Sequence, residues 1–214
     1  MNEFSTIQMV TIYALPVLFA ITVHEAAHAY AARYFGDNTA YMMGRMTLNP
    51  IKHIDPIGTI VLPLLAMVLG GFLFGWAKPV PVNFGHLRQP KRDMRWVALA
   101  GPASNLGMAI LWGVIFKMAL AMGPGQYYQK PLQLMATAGL QINVVLMVLN
   151  LLPIPPLDGG RILVSILPNH LAYQVSRLEP YGMFILIGLL ITNLLSVIMD
   201  PFIALTFRLL SVIL

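Results

Sequence analysis

Two histidines and a glutamate stand inside an apolar run, T-V-H-E-A-A-H-A-Y-A-A-R-Y (Thr22–Tyr34). On a helix, His24 and His28 lie four residues apart, ~40° from each other on one face. Both imidazoles can then reach a single metal ion. Glu25, one step round, can orient a water on that ion without being forced to ligate it. The H-E-x-x-H spacing is that of zinc-assisted peptide hydrolysis.

A catalytic zinc usually takes three protein ligands and leaves one position for water. The chain has no cysteine, which excludes disulfides and thiolate ligation. Its eight acids are Glu3, Glu25, Asp37, Asp55, Asp93, Asp158, Glu179 and Asp200, and most fall in loops or at segment ends. Asp158 differs. It follows a long apolar span and sits between P-I-P-P and Gly159-Gly160. An acid there is costly unless it is paired or metal-bound. Asp158 is therefore the expected third ligand, with one Zn2+ per chain as the cofactor.

The elements that must position these residues lie in lipid. Of 214 residues, 58% are hydrophobic and 10% charged, against roughly 25% charged in soluble domains. Continuous apolar runs favour helices over a barrel. The expected fold is an all-α polytopic membrane protein, a single unit over 1–214, with about 4–5 transmembrane helices. A re-entrant segment and a small membrane-associated β element are expected beside them. Residues 6–34 read as a helix with a kink site at Pro16, ended by Gly36-Asp37-Asn38. Residues 36–95 read as strand, turn and re-entrant pieces. Helices are expected over 96–122 with G-P-A-S-N, over 134–161 ending in L-D-G, and over 181–199. A short piece, 201–214, is expected not to span. The start, M-N-E-F-S-T, has no basic region of a cleavable leader.

Bringing Asp158 to the depth of His24 and His28 requires the first helix and the 134–152 span to run parallel. An odd number of crossings must then separate them, yet two apolar segments intervene, 57–75 and 96–122. The first carries Pro63 and Gly70-Gly71, so it is expected to re-enter and return. Charge agrees. Ten basic residues (Arg33, Arg45, Lys52, Lys78, Arg88, Lys91, Arg92, Arg95, Arg161, Arg177) then share one side, against Lys117, Lys130 and Arg208. The positive-inside bias predicts a cell-membrane protein with an external N-terminus and a metal site toward the cytoplasm.

H-E-A-A-H (His24–His28), G-W-A-K-P-V-P-V-N (Gly75–Asn83), G-P-A-S-N (Gly101–Asn105) and P-P-L-D-G-G-R (Pro155–Arg161) occur in this order. Together they resemble the site-2 protease family of intramembrane zinc metalloproteases, peptidase family M50. The resemblance implies zinc on His24, His28 and Asp158, with Glu25 as general base. It also implies that Asn150, eight residues before Asp158, helps to stabilise the oxyanion. The implied activity is regulated intramembrane proteolysis, hydrolysing peptide bonds in or near the transmembrane segment of membrane-protein substrates. The chain resembles a minimal, prokaryotic-type member without a PDZ domain.

A transmembrane helix has its carbonyls internally bonded, so a substrate must locally unwind to be cut. In Lys78-Pro79-Val80-Pro81-Val82-Asn83 the prolines blank the donors of one strand edge, while Val80 and Val82 keep the other competent. Lys78, Val80, Val82 and Asn83 are therefore expected to bind substrate by strand addition. Asn105 reads as a packing and hydrogen-bonding residue, with Gly101, Ala103 and Ser104 allowing close helix approach; His53 and Asp55 read as caps of the re-entrant segment; Asn143 has no assigned task. The partners expected are a transmembrane substrate and the bilayer. The basic run Arg88–Arg95 reads as a topology signal and not a nucleic-acid surface, and oligomeric state is not encoded in any motif. Two other functions compete. An ion-coupled transporter predicts an inverted repeat, and the sequence has none. A non-catalytic metal- or haem-binding protein has no use for Glu25.

Overall fold

The H-E-x-x-H motif lies on the C-terminal half of a 29-residue helix, α1 (Thr6–Tyr34), in a computed structural model that describes residues 6–61, 77–123 and 125–213. Ile12, Pro16, Ala20 and His24 recur every fourth residue and are all buried. The helical period thus draws a narrow inward stripe of mostly small side chains that runs into the histidines.

Among the described residues the other α-helices are α2 (Thr39–Met42), α3 (Pro90–Ala121), α4 (Gln129–Leu151), α5 (Asp158–Ile166), α6 (Asn169–Ser176), α7 (Gly182–Ile191) and α8 (Leu194–Ile213). Among the described residues, five stretches are long and apolar enough to cross a membrane: Thr11–Tyr34, Pro90–Ala121, Gln129–Leu151, Asn169–Ile191 and Leu194–Val212. Their outward faces expose large apolar side chains such as Phe19, Leu111, Met118, Phe184 and Ile191. Lipid solvates such a surface; water does not. The chain is a multi-pass membrane protein.

Three helices build the centre. On α3, Val97, Gly101, Asn105, Ala109 and Trp112 form one buried face, and small residues there allow close helix approach. Val97 meets His28 while Asn105 meets His24, so α3 runs antiparallel to α1. Trp112 packs on Gly139 and Asn105 on Asn143, so α4 runs antiparallel to α3. Consequently α1 and α4 are parallel, as the ligand set requires. Tyr34 and Phe35 carbonyls accept from the Arg88 side chain and backbone N–H, so the end of α1 and the approach to α3 meet at one end of the bundle. A separate apolar core joins α8 to α4 through Val144, Met147, Val148, Leu195, Met199 and Leu210.

Several boundaries differ from those expected. Among the described residues there is no strand. Thr39–Met42, read as strand or turn, is a helical turn, and 77–83 is extended without a strand partner. Pro79 and Pro81 prevent a ladder, and the N–H groups of Lys78, Val80 and Asn83 go to single acceptors instead. The 57–75 segment falls mostly on 62–76, outside the described residues. Before it, Pro56–Val61 is a wide helical turn whose start Asp55 caps by accepting from Ile57 and Gly58 N–H.

Helix α3 begins at Pro90 and not at 96, with Pro at the first helical position and Asp93 accepting from Gln89 N–H. The 134–161 helix is two: α4 stops at Leu151, and Asp158 opens α5. The C-terminal break falls at Asn193, where φ is 60°, a conformation that Asn tolerates better than most residues. Pro201 lies inside α8. Residues 201–213, expected not to span, are therefore part of a helix long enough to do so.

Candidate metal centre

His24 Nε2 and His28 Nε2 lie 3.0 Å apart, and each lies 3.3 Å from Asp158 Oδ2. Ligands at ~2.0–2.1 Å from a tetrahedral zinc stand roughly 3.3 Å from each other, so the three atoms can hold such an ion. Asp158 Oδ2 is buried and has no hydrogen-bond partner. A metal ion would satisfy that orphaned oxygen.

The other ring nitrogen of each histidine is committed. His28 Nδ1 donates to the Val97 carbonyl at 2.8 Å, and His24 Nδ1 donates to Asn105 Oδ1 at 2.6 Å. With the proton on Nδ1, both Nε2 lone pairs point inward, as metal ligation needs. Asn105 donates in turn to Asn143 Oδ1 (2.9 Å), and Asn143 to the Gly139 carbonyl (2.8 Å). Both asparagines are fully buried. A chain of donors thus runs from α1 through α3 to α4 and ends on backbone.

Glycines set the approach distances. A Cβ on Gly101 would collide with both imidazoles, so only a bare α3 backbone lets them pack there. A Cβ on Gly159 would collide with the Leu151 and Leu152 carbonyls. The third residue of L-D-G-G-R, Gly159, is glycine because α5 starts pressed against the end of α4. Asp158 occupies the first turn of α5, where the helix dipole favours a carboxylate.

Glu25 lies outside the three-atom cluster. Its Oε2 accepts the Val80 N–H at 2.6 Å, which brings the extended segment 77–83 onto the motif. Val80 is buried with Ala29 and Ala40. Lys78 N–H donates to the His53 carbonyl, and Asn83 N–H donates to Asp37 Oδ2 at 2.8 Å. Burial pushes the Asp37 carboxyl up, but hydrogen bonds from Thr39, Asn83 and His86 outweigh it and hold the group below the usual carboxylate range. Beside the segment a cavity of about 300 Å³ opens between Val82, Phe84 and Met94 on one wall and Pro155, Arg161 and Val164 on the other.

The structure brings together His24, His28 and Asp158, and it joins Glu25 to Val80. Asn150 is not bonded to them; its Nδ2 donates to the Leu146 carbonyl one turn back. Sequence reasoning gives Asn105 a packing and hydrogen-bonding role but not its partner His24, and misses the tasks of Asn143 and Asp37. The available signal is the cost of an amide in an apolar span, which for Asn105 and Asn143 calls for a polar partner at the same depth.

The family model described as Peptidase family M50 matches residues 121–195. Over 197 residues the chain is 38% identical to "Putative zinc metalloprotease YwhC" of Bacillus subtilis, covering 87% of this chain and 83% of that one. It is 33% identical to "Putative zinc metalloprotease Rip2" of Mycolicibacterium smegmatis, covering 84% of this chain and 66% of that protein. It is 32% identical to the protein of the same name from Mycobacterium tuberculosis, covering 81% and 63%. Against the two mycobacterial relatives, then, the chain spans just under two thirds of their length. No solved structure gives a significant match.

Proposed function

The chain belongs to peptidase family M50 and is a zinc metalloprotease of the membrane; we propose that it hydrolyses peptide bonds in or near the transmembrane segments of other membrane proteins, in regulated intramembrane proteolysis. The observation that carries this reading is the convergence of two Nε2 atoms and an otherwise partnerless Oδ2 inside a bundle of membrane-spanning length. His24, His28 and Asp158 would hold the ion. Bound zinc supplies a water of lowered pKa and polarises the scissile carbonyl.

The remaining chemistry belongs to side chains. Glu25 takes the proton of the attacking water and returns it to the leaving amine. Its Oε2 is engaged by Val80, which leaves Oε1 as the oxygen to take that proton. Asn150 is the proposed oxyanion donor, using the amide hydrogen that Leu146 does not take. Lys78, Val80, Val82 and Asn83 form the proposed docking strand. With Lys78 and Val80 N–H already bonded inward, the donor in this segment without a partner among the described residues is Val82 N–H, next to the 300 Å³ cavity. That cavity offers room for a substrate side chain. Replacing Val82 by Pro should raise KM with little change in kcat; an unchanged KM removes the docking role.

The test of the function is Glu25→Gln in the full chain in lipid nanodiscs with a transmembrane reporter substrate. Zinc content should stay at one per chain and cleavage should disappear; retained cleavage overturns the assignment. The gathering of ten basic residues from Arg33 to Arg177 on one side supports a cytoplasmic site and an external N-terminus. A cysteine placed at exposed Gly85 should then label from the cytoplasmic side, and labelling from outside reverses the orientation.

A further inference from the structure

Arg45 is 8% exposed, yet it forms no ion pair among the described residues. Its Nη2 donates to the carbonyls of Lys78 (2.9 Å) and Pro79 (3.4 Å), and its Nε has no partner. A guanidinium withdrawn from water without a counterion is expensive for a fold. An apolar residue would fill the same space at less cost. What the guanidinium adds is a grip on two successive carbonyls of the extended segment.

That grip bears on Glu25. The Pro79 carbonyl and the Val80 N–H belong to one planar peptide unit and point in opposite directions, so a donor on that carbonyl also sets where the N–H points. Lys78 is held by Arg45 at its carbonyl and by the His53 carbonyl at its N–H (3.0 Å). Glu25 Oε2 accepts the Val80 N–H at 2.6 Å. Pro79 and Pro81, lacking N–H groups, offer no competing donor. Asn83, anchored on Asp37, fixes the far end.

We propose that Arg45 is a positioning residue for Glu25: through the Lys78 and Pro79 carbonyls it sets the Val80 N–H that binds one carboxylate oxygen and leaves the other to take the proton. This rests on the reading of Glu25 as general base. A hydrogen bond to a charged group is worth enough that its loss changes an equilibrium by about tenfold or more, and the experiment is scaled to that.

The full chain in nanodiscs carries the test, by hydrogen exchange of the Val80 amide in metal-stripped protein and by steady-state kinetics after zinc loading. Arg45→Met should speed Val80 exchange by about tenfold and lower kcat by about tenfold with KM within about twofold. Arg45→Lys, which keeps a cation and one donor, should recover part of both; it carries the test alone if Arg45→Met does not fold. In a Val80→Pro background Arg45→Met should lower kcat no further. Unchanged Val80 exchange, or the same kcat loss in the Val80→Pro background, overturns the proposal. Glu25→Ala should by itself speed Val80 exchange, a readout independent of cleavage. Failure of the clamp is thereby separate from failure of the base assignment, which retained cleavage by Glu25→Gln would reveal.

Discussion

Asn105, from a different helix and 81 positions along the chain, accepts the Nδ1 proton of His24 at 2.6 Å. The same amide is held from behind by Asn143, so it cannot rotate without breaking two bonds. Replacing Asn105 by Leu removes the acceptor and leaves His24 free to change tautomer. Partners of this kind are worth about 10–100-fold in metal affinity. Asn105→Leu should lose zinc to a competing chelator by about that factor. Asn105→Asp, which still accepts, should retain most of it. Asn143→Ala should fall between them.

Gly101 gives a sharper steric prediction. A methyl group there meets ring atoms of both His24 and His28, whose outer nitrogens are already tied to α3. Neither ring can step aside without losing its anchor. Gly101→Ala should abolish stoichiometric zinc binding and cleavage. Gly107→Ala, on the same helix with nothing within 4 Å, should leave zinc content and activity unchanged. Metal analysis of the two purified variants decides it.

These two positions mark how far the sequence can be read. His24, His28 and Asp158 are legible because a metal constrains residue type, spacing and depth together, and the same constraint makes α1 and α4 parallel. The helices are legible because lipid demands long apolar runs. What a backbone does at short range is harder to see. Asp158 as the start of a helix and not the end of one depends on how α5 presses on α4, which involves Gly159 and Leu151 together. The break at Asn193 depends on a single left-handed residue, while Pro201, the stronger punctuation in the text, sits inside α8. The partners of Val80 and Asn83 lie 55 and 46 residues away, and the local pattern of alternating prolines shows only that an edge is special.

Metal removal should be visible in stability. A ligand that binds the native state alone stabilises it by RT ln(1 + [L]/Kd), about 4 kcal/mol at a thousandfold excess over Kd. Chelation of zinc should therefore lower the Tm of the wild type in detergent or nanodiscs. Asp158→Ala, lacking one donor of the cluster, should melt at the same temperature with and without chelator. A chelator-dependent Tm in Asp158→Ala would mean that zinc is held elsewhere.

Asp37 ties the end of α1 to the far end of the extended segment, so its ionisation should be felt there. Its carboxyl is depressed in the fold: burial alone would raise it, and hydrogen bonds from Thr39, Asn83 and His86 more than reverse that. A group depressed on folding contributes stability above its unfolded pKa, ~3.9 for Asp, and loses it as pH falls through the folded value. In metal-stripped protein, so that proton competition for the histidines does not intrude, protection of the Asn83 amide should be constant from neutral pH to about 5 and decline in stronger acid. Asp37→Asn should show weakened protection already at neutral pH and no acid-dependent decline. Hydrogen exchange corrected for its intrinsic pH dependence reads both. An acid decline of equal size in Asp37→Asn would assign the loss to another group.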